Sequence, residues 1–471
     1  MQETNNNKFI NSKETTPHHI AVFAFPFGSH GTPLLNMTRS LASSSSPQNN
    51  VHFSFFSTPN SIKSLFPKCS KNDLEFPNNI RCYEIWDGKP KEYIFKGNPL
   101  EEIELFLDAA TRPGALKEVV EKAEEEVGVK VKCVMGDAFL WFLGDLAKEM
   151  EVPWISCWLS GEHALSLHVY TDVIRQRFGT QGVEGREEET LDFIPGLKKV
   201  RVKDLQEGIV TGNLDSIISK MLHKMSQVLL NANAVCISCC EELDPDLITD
   251  LKSKFSKVYT IGPLNLVMPP SKVVDTYNCL SWLDKQKANS VVYVSFGSAA
   301  TPTPNELFAL AEALQASGFK FLWSIKDQLK VHFPHDFLDK NRENGMVVPW
   351  APQIEVLAHE AVGVFITHFG YNSMTESIAA EVPMIGRPFF GDHSLNGRLV
   401  EAVWEIGIQV EGGVFTKQGI LKSLHQILSS DEGKKMKENI KSLKELVNKG
   451  VAPNGSSNKN FKLLLELELK A

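Results

Sequence analysis

The segment Thr367 to Ser377, THFGYNSMTES, sets a histidine, a glycine, an amide, a hydroxyl and a carboxylate between His368 and Glu376. The apolar run Val362 to Ile366 before it reads as a strand. Gly370 gives a turn, and Asn372 and Ser373 are suited to cap a helix continuing through Glu376. A helix start presents unpaired backbone N–H groups and the positive end of the dipole, which suits a phosphate. Gly370 lets a ligand approach the backbone, and His368 and Ser373 can donate to its oxygens. An ordinary strand–helix turn, with Ser373 capping and Glu376 answering the dipole, accounts for the same residues, so both readings stand. A second candidate is His30, in the small-residue loop FGSHGT after a strand, where there is room for a substrate. Histidine titrates near neutrality and can take a proton from a hydroxyl. A lone loop histidine is more often structural.

A chain of 471 residues is too long for one ordinary core, so two or three domains must position these groups. Composition, 42% hydrophobic and 23% charged, is that of a soluble globular protein. A net charge of −8 without a long basic run argues against a nucleic-acid partner. The polar amino terminus does not read as a secretory signal. The first apolar run, IAVFAFPF, breaks at Pro26, well short of the roughly 20 residues a membrane span needs. The eight cysteines are scattered, and the Cys236–Cys239 CxxC has no partner pair at zinc spacing. Small buried thiols, no metal site and a reducing, cytoplasmic compartment are expected.

Strands are expected at 19–27, 51–58, 80–86, at a run ending in Asp137, and at VPWISCW, with helical periodicity between them. This alternation predicts an α/β fold with mostly parallel sheets covered on both faces. The pattern pauses at Tyr259 to Asn278, where Pro263, Pro269 and Pro270 suggest a linker, and restarts at SVVYVSFGS. The expected organisation is a first domain over 1–262, a linker over 263–280 and a second domain over 281–453. A last helix over 454–471 is expected to pack back toward the first domain. Ligands of such sheets bind beyond the carboxyl ends of the strands. That puts His30 and Asp137 of the first half and Ser298, Trp350, His368 and Asn372 of the second on one cleft. No GxGxxG follows either opening strand, which disfavours a dinucleotide dehydrogenase.

The stretch VPWAPQIEVLAHEAVGVFITHFGYNSMTESIAAEVPMIGRPFFGDH resembles the signature box of plant family-1 glycosyltransferases, which use UDP-sugars, without a gap from Trp350 to His393. The likeness spans nearly the whole chain. AFPFGSHGTPLL, GDAFLWF, SLHVYTD, GPLNL, SWLDKQ and RPFFGD are similar to its flavonoid 3-O-glycosyltransferase branch. This resemblance implies the GT-B fold, two doubly wound Rossmann-like domains facing across a cleft. It implies a monomeric, metal-independent enzyme that inverts the sugar at C1 and uses no cofactor beyond its UDP-sugar co-substrate. By the same resemblance Trp350 stacks on uracil, with Ala351 and Gln353 near the base, and Glu376 accepts from both ribose hydroxyls. Ser298, His368, Gly370, Asn372 and Ser373 then meet the diphosphate. His30 is the catalytic base, and Asp137 orients it and stabilises its protonated form.

Three positions depart from the usual box: Phe369 for Cys, Tyr371 for Trp, and His393 for the terminal Gln of glucosyltransferases. That Gln, with Asp392, grips the sugar 3- and 4-hydroxyls, and a terminal His accompanies UDP-galactose or UDP-rhamnose. In SCWLSGEH, Leu159 stands where related glucosyltransferases have a Thr on the 6-hydroxyl. A site without that polar partner favours a 6-deoxy sugar. Leu159, Tyr371, Asp392 and His393 are therefore expected around the donor sugar, and UDP-rhamnose as the donor, with galactose or glucose as alternatives. The expected acceptor is a flavonol attacked at its 3-hydroxyl, in an apolar pocket lined by Phe25, Trp86, Phe139, Trp158 and His168. A nucleotide-sugar epimerase and a non-catalytic binder are the remote alternatives.

Overall fold

Short, largely apolar runs build the strands. In the computed structural model, which describes residues 17–44, 51–66, 77–95, 98–267 and 274–470, they form two parallel sheets. The first contains β1 (His18–Phe23), β2 (Val51–Ser57), β3 (Ile80–Glu84), β4 (Cys133–Asp137), β5 (Trp154–Trp158), β6 (Ala234–Ile237) and β7 (Val258–Thr260), in the order β3-β2-β1-β4-β5-β6-β7. The second contains β8 (Val291–Ser295), β9 (Lys320–Ser324), β10 (Gly345–Val348), β11 (Val362–Thr367), β12 (Met384–Gly386) and β13 (Gly407–Gln409), in the order β10-β9-β8-β11-β12-β13. Helices cover both faces of each sheet, which is why β4, β5, β8 and β11 are buried at every residue. β1 shows the division: Ala21 and Phe23 enter one core cluster, Ile20 and Val22 the other.

Both sheets reverse their strand order at the same place. β1 lies between β2 and β4, and β8 lies between β9 and β11. Each reversal leaves a crevice at the carboxyl ends of the central strands, where open parallel sheets take their ligands. β1 is shorter than the expected 19–27: its ladder ends at Phe23, and Pro26 just beyond has no N–H to extend it.

The described parts of the expected linker carry two short helices, Leu264–Val267 and Cys279–Leu283. Pro269 and Pro270, and most of the polar amino terminus, lie outside the described residues. The last helix, Ser456–Lys470, returns to the first domain, where Phe461 and Leu464 join the core cluster of Ile20 and Val22. The chain therefore crosses between the domains twice, and the crossings are joined: the Ser457 hydroxyl donates to the Gly262 carbonyl at 2.6 Å. Among the described residues no helix is long and apolar enough to cross a membrane.

Candidate active site

β1 and β4 end side by side, with Phe23 opposite Gly136. A Cβ at Gly136 would fall 2.2 Å from Leu143 Cδ1, so glycine lets that leucine pack against the strand. Just beyond, His30 Nδ1 and Asp137 Oδ2 are 2.8 Å apart, and the Phe139 N–H donates to the other carboxylate oxygen at 2.9 Å. Asp137 is 2% exposed and His30 25%. With Nδ1 donating to Asp137, Nε2 is left as the acceptor that a base requires. Burial disfavours the imidazolium, but the charge and hydrogen bond of Asp137, with Asp392 farther off, outweigh it and raise the His30 pKa above its ordinary value.

An aromatic row runs from this histidine. Phe25 and Phe139 lie 5.2 and 4.5 Å from the His30 ring, Trp158 lies 6.0 Å from Phe139, and His168 lies 5.5 Å from Trp158. The Trp158 indole N–H donates to the Gly161 carbonyl at 2.8 Å. Burial, only partly offset by Asp392 and Gln206, pushes His168 down to about 4, so it is neutral at pH 7. Trp86, expected in this lining, stands apart: it is 51% exposed, with the Arg112 guanidinium 4.9 Å from its ring.

In the second domain, Trp350 follows β10 and is 63% exposed beside buried Ala351, an unusual amount of bare indole. The Gln353 amide donates to Ser373 Oγ at 2.9 Å and to Glu376 Oε2 at 2.7 Å, and its carbonyl accepts from the Tyr293 hydroxyl at 3.3 Å. Burial, opposed by the Gln353 bond and reinforced by Glu355, pushes Glu376 up to about 7. The helix Tyr371–Ala379 starts earlier than expected. Gly370 is its N-cap, no side chain caps it, and Asn372 and Ser373 lie in its first turn instead. Its leading N–H groups thus lack the side-chain acceptor that the sequence reading had assigned to them.

The His368 imidazole fills the space against this helix start. A Cβ at Gly370 would come within 2.4 Å of its Nε2, and one at Gly297 within 3.0 Å of its Cε1. Gly297, at φ +68, is a site requirement the sequence reading missed. Ser298 is exposed next to it, its carbonyl accepting from Lys326 Nζ at 3.0 Å. Burial first, then the neighbouring His393, pushes His368 down to about 3 against the pull of Asp392. In the free protein it is therefore neutral at pH 7.

Between the domains, the Ser160 hydroxyl donates to Asp392 Oδ2 at 2.6 Å. His393 Nδ1 accepts from the Phe389 and Phe390 N–H groups at 3.4 Å each, so its proton is on Nε2. Burial pushes its pKa down to about 4. The His393 ring stands 4.8 Å from His368, nearly perpendicular to it. Leu159 is half-buried against the first domain's core, and the next residue, Ser160, carries the hydroxyl bonded to Asp392. Phe369 is buried at φ 60, over Gly386 and Gly397, with its carbonyl held by the Asn396 amide at 2.9 Å. Tyr371, expected at the sugar, turns the other way: its hydroxyl donates to the Ser238 carbonyl of the first domain at 2.5 Å.

Residues 103–450 match the model of the family described as UDP-glucoronosyl and UDP-glucosyl transferase. The chain belongs to this family. It is 51% identical to a flavonol 3-O-glucosyltransferase of Arabidopsis thaliana, covering 97% of this chain and 98% of that one. It is 48% identical to an anthocyanidin 3-O-galactosyltransferase of Actinidia chinensis var. chinensis, over 97% and 98%. Its fold is similar to the crystal structure of a UDP-glucose:anthocyanidin 3-O-glucosyltransferase in complex with UDP, with TM-score 0.89 and 39% identity over 97% of this chain and all of the other. The protein is thus an inverting UDP-glycosyltransferase of GT-B architecture, in the flavonoid 3-O-glycosyltransferase branch of the plant enzymes. Membership sets aside the epimerase and the non-catalytic binder.

Proposed function

We propose that this UDP-glycosyltransferase moves a hexose from its UDP-sugar to the 3-hydroxyl of a flavonol, with UDP-galactose as donor. The observation that carries the reading is the His30–Asp137 pair, 2.8 Å apart, at the head of an aromatic row that suits a flat polyphenol. The 3-hydroxyl reading rests also on the acceptors named for the relatives. In the proposed step His30 Nε2 takes the hydroxyl proton as the oxygen attacks C1 of the sugar. The C1–O bond to the diphosphate breaks with its electron pair going to UDP, and C1 inverts. Asp137 holds the imidazolium that forms. The uncapped start of helix Tyr371–Ala379 and neutral His368 meet the leaving charge.

The case for rhamnose rested on Leu159 leaving C6 without a polar partner. The two relatives named above are a glucosyl- and a galactosyltransferase, which supports those donors over rhamnose. What remains is His393 in place of the Gln of glucosyltransferases, presenting an Nε2–H donor beside Asp392. In a panel of three UDP-sugars with one flavonol and mass detection, UDP-galactose should give the highest kcat/KM. His393→Gln should move the galactose-to-glucose ratio toward glucose by about 2- to 12-fold, the span of one net hydrogen bond. UDP-rhamnose as the best donor would overturn this proposal in favour of a 6-deoxy sugar. UDP-glucose as the best donor, with an unchanged ratio in the mutant, would dismiss His393 as the selector.

Glu376, proposed to accept from the ribose hydroxyls, must be ionised to do so. In the free protein it is pushed up to about 7, so UDP-sugar binding releases a proton in this range. Affinity for UDP-glucose should fall as pH drops below 7, by up to about tenfold per unit. Calorimetry between pH 6 and 8 checks this, and Glu376→Gln should bind weakly with a flat profile. A flat wild-type profile would remove Glu376 from the ribose.

A further inference from the structure

One buried contact joins the two domains at the first residue of helix Tyr371–Ala379. The Tyr371 hydroxyl reaches the Ser238 carbonyl, just past β6, at 2.5 Å, and Tyr371 is 8% exposed. Its ring lies on Gly161, where a Cβ would come within 2.6 Å of Cε2. The residue before Gly161 is Ser160, which is bonded to Asp392 at the start of the next second-domain helix, His393–Arg398. The loop leaving β5 is therefore clasped by two helix starts of the second domain, one by packing and one by hydrogen bond. Burial, with the nearby Glu162, holds the Tyr371 phenol well above its ordinary pKa, so it stays a donor. The Trp usual at this position of the box has no hydroxyl to make the bond.

We propose that Tyr371 is a positioning residue: by tying the start of its helix to the first domain, it fixes where the leaving diphosphate sits relative to His30. The proposal rests on the roles given above to His30 and to that helix start. Its energetic logic is that a misplacement of about 1 Å between reacting groups can cost a hundredfold in rate. Nucleotide contacts within the second domain do not depend on it. Binding of UDP and turnover should thus respond separately.

The test compares wild type, Tyr371→Phe, Gly161→Ala, their double mutant and His30→Ala, each at a temperature where its melting curve shows it folded. Tyr371→Phe should lose about tenfold in kcat at saturating donor and acceptor, with UDP affinity by calorimetry within about twofold of wild type. Gly161→Ala, whose methyl displaces the same ring, should show the same split. The double mutant should fall no further than the worse single mutant, because both act through one contact. Wild-type kcat in Tyr371→Phe, or a UDP affinity that falls as far as kcat, overturns the proposal. Additive losses in the double mutant overturn it as well. If Gly161→Ala does not fold, Tyr371→Phe decides alone. Activity retained by His30→Ala would instead indict the site on which the proposal stands.

Discussion

Replacing His30 by alanine lowers kcat by about 10²–10⁴-fold, the range for a positioned general base, and leaves UDP affinity unchanged. The separation follows from topology. His30 stands at the switch point of the first sheet, whereas Trp350, Gln353, His368 and Glu376 all belong to the second domain. Asp137→Asn should cost a comparable factor, since it removes the charge that holds His30 in its working tautomer. The pH profile gives an independent sign. The base works neutral, so kcat/KM rises with pH through the His30 pKa, which Asp137 raises. In Asp137→Asn the inflection therefore moves to lower pH. Undiminished turnover in His30→Ala, or an inflection that stays in place, would end the assignment.

Trp350→Ala should weaken UDP and every UDP-sugar by the same factor. Stacking of one base on an aromatic ring is worth about 1–3 kcal/mol, which converts to roughly 5- to 150-fold in affinity. Because Trp350 is 63% exposed, its removal takes little from the core, and the mutant should melt near wild type. kcat at saturating donor should stay close to wild type, since the lost contact is made equally in ground and transition states. Calorimetry with UDP alone decides. An unchanged affinity in the folded mutant would mean that the nucleotide lies elsewhere.

The two sheets and their switch points were legible because alternation of apolar runs and amphipathic helices is a local property of the chain. His30 and Asp137, 107 positions apart, were brought to one cleft by the strand-end rule, but their working as a pair was legible only through resemblance. Contacts across the cleft left no such trace. Ser160 and Asp392 are 232 positions apart and Tyr371 and Ser238 are 133, and no periodicity links them. Tyr371 was misplaced for that reason. Trp86 lies just beyond the end of β3, where Tyr83 and Ile85 enter the core and the indole is left 51% exposed. The helix at Tyr371 was expected to be capped because Asn and Ser favour N-caps, yet the chain begins it on Gly370 and keeps both residues inside the first turn.

The returning helix Ser456–Lys470 bears on biosynthesis. Phe461 and Leu464 fill the same core cluster as Ile20 and Val22, so the first domain's packing is completed only by residues that follow the whole second domain. Burial of each such side chain is worth about 1.5–3 kcal/mol, a large share of a domain's net stability. Without the helix Ser456–Lys470 the first domain is left with an uncovered apolar face. A transcript truncated before codon 456 would leave the amino-terminal half, not the carboxyl-terminal one, as the half that aggregates.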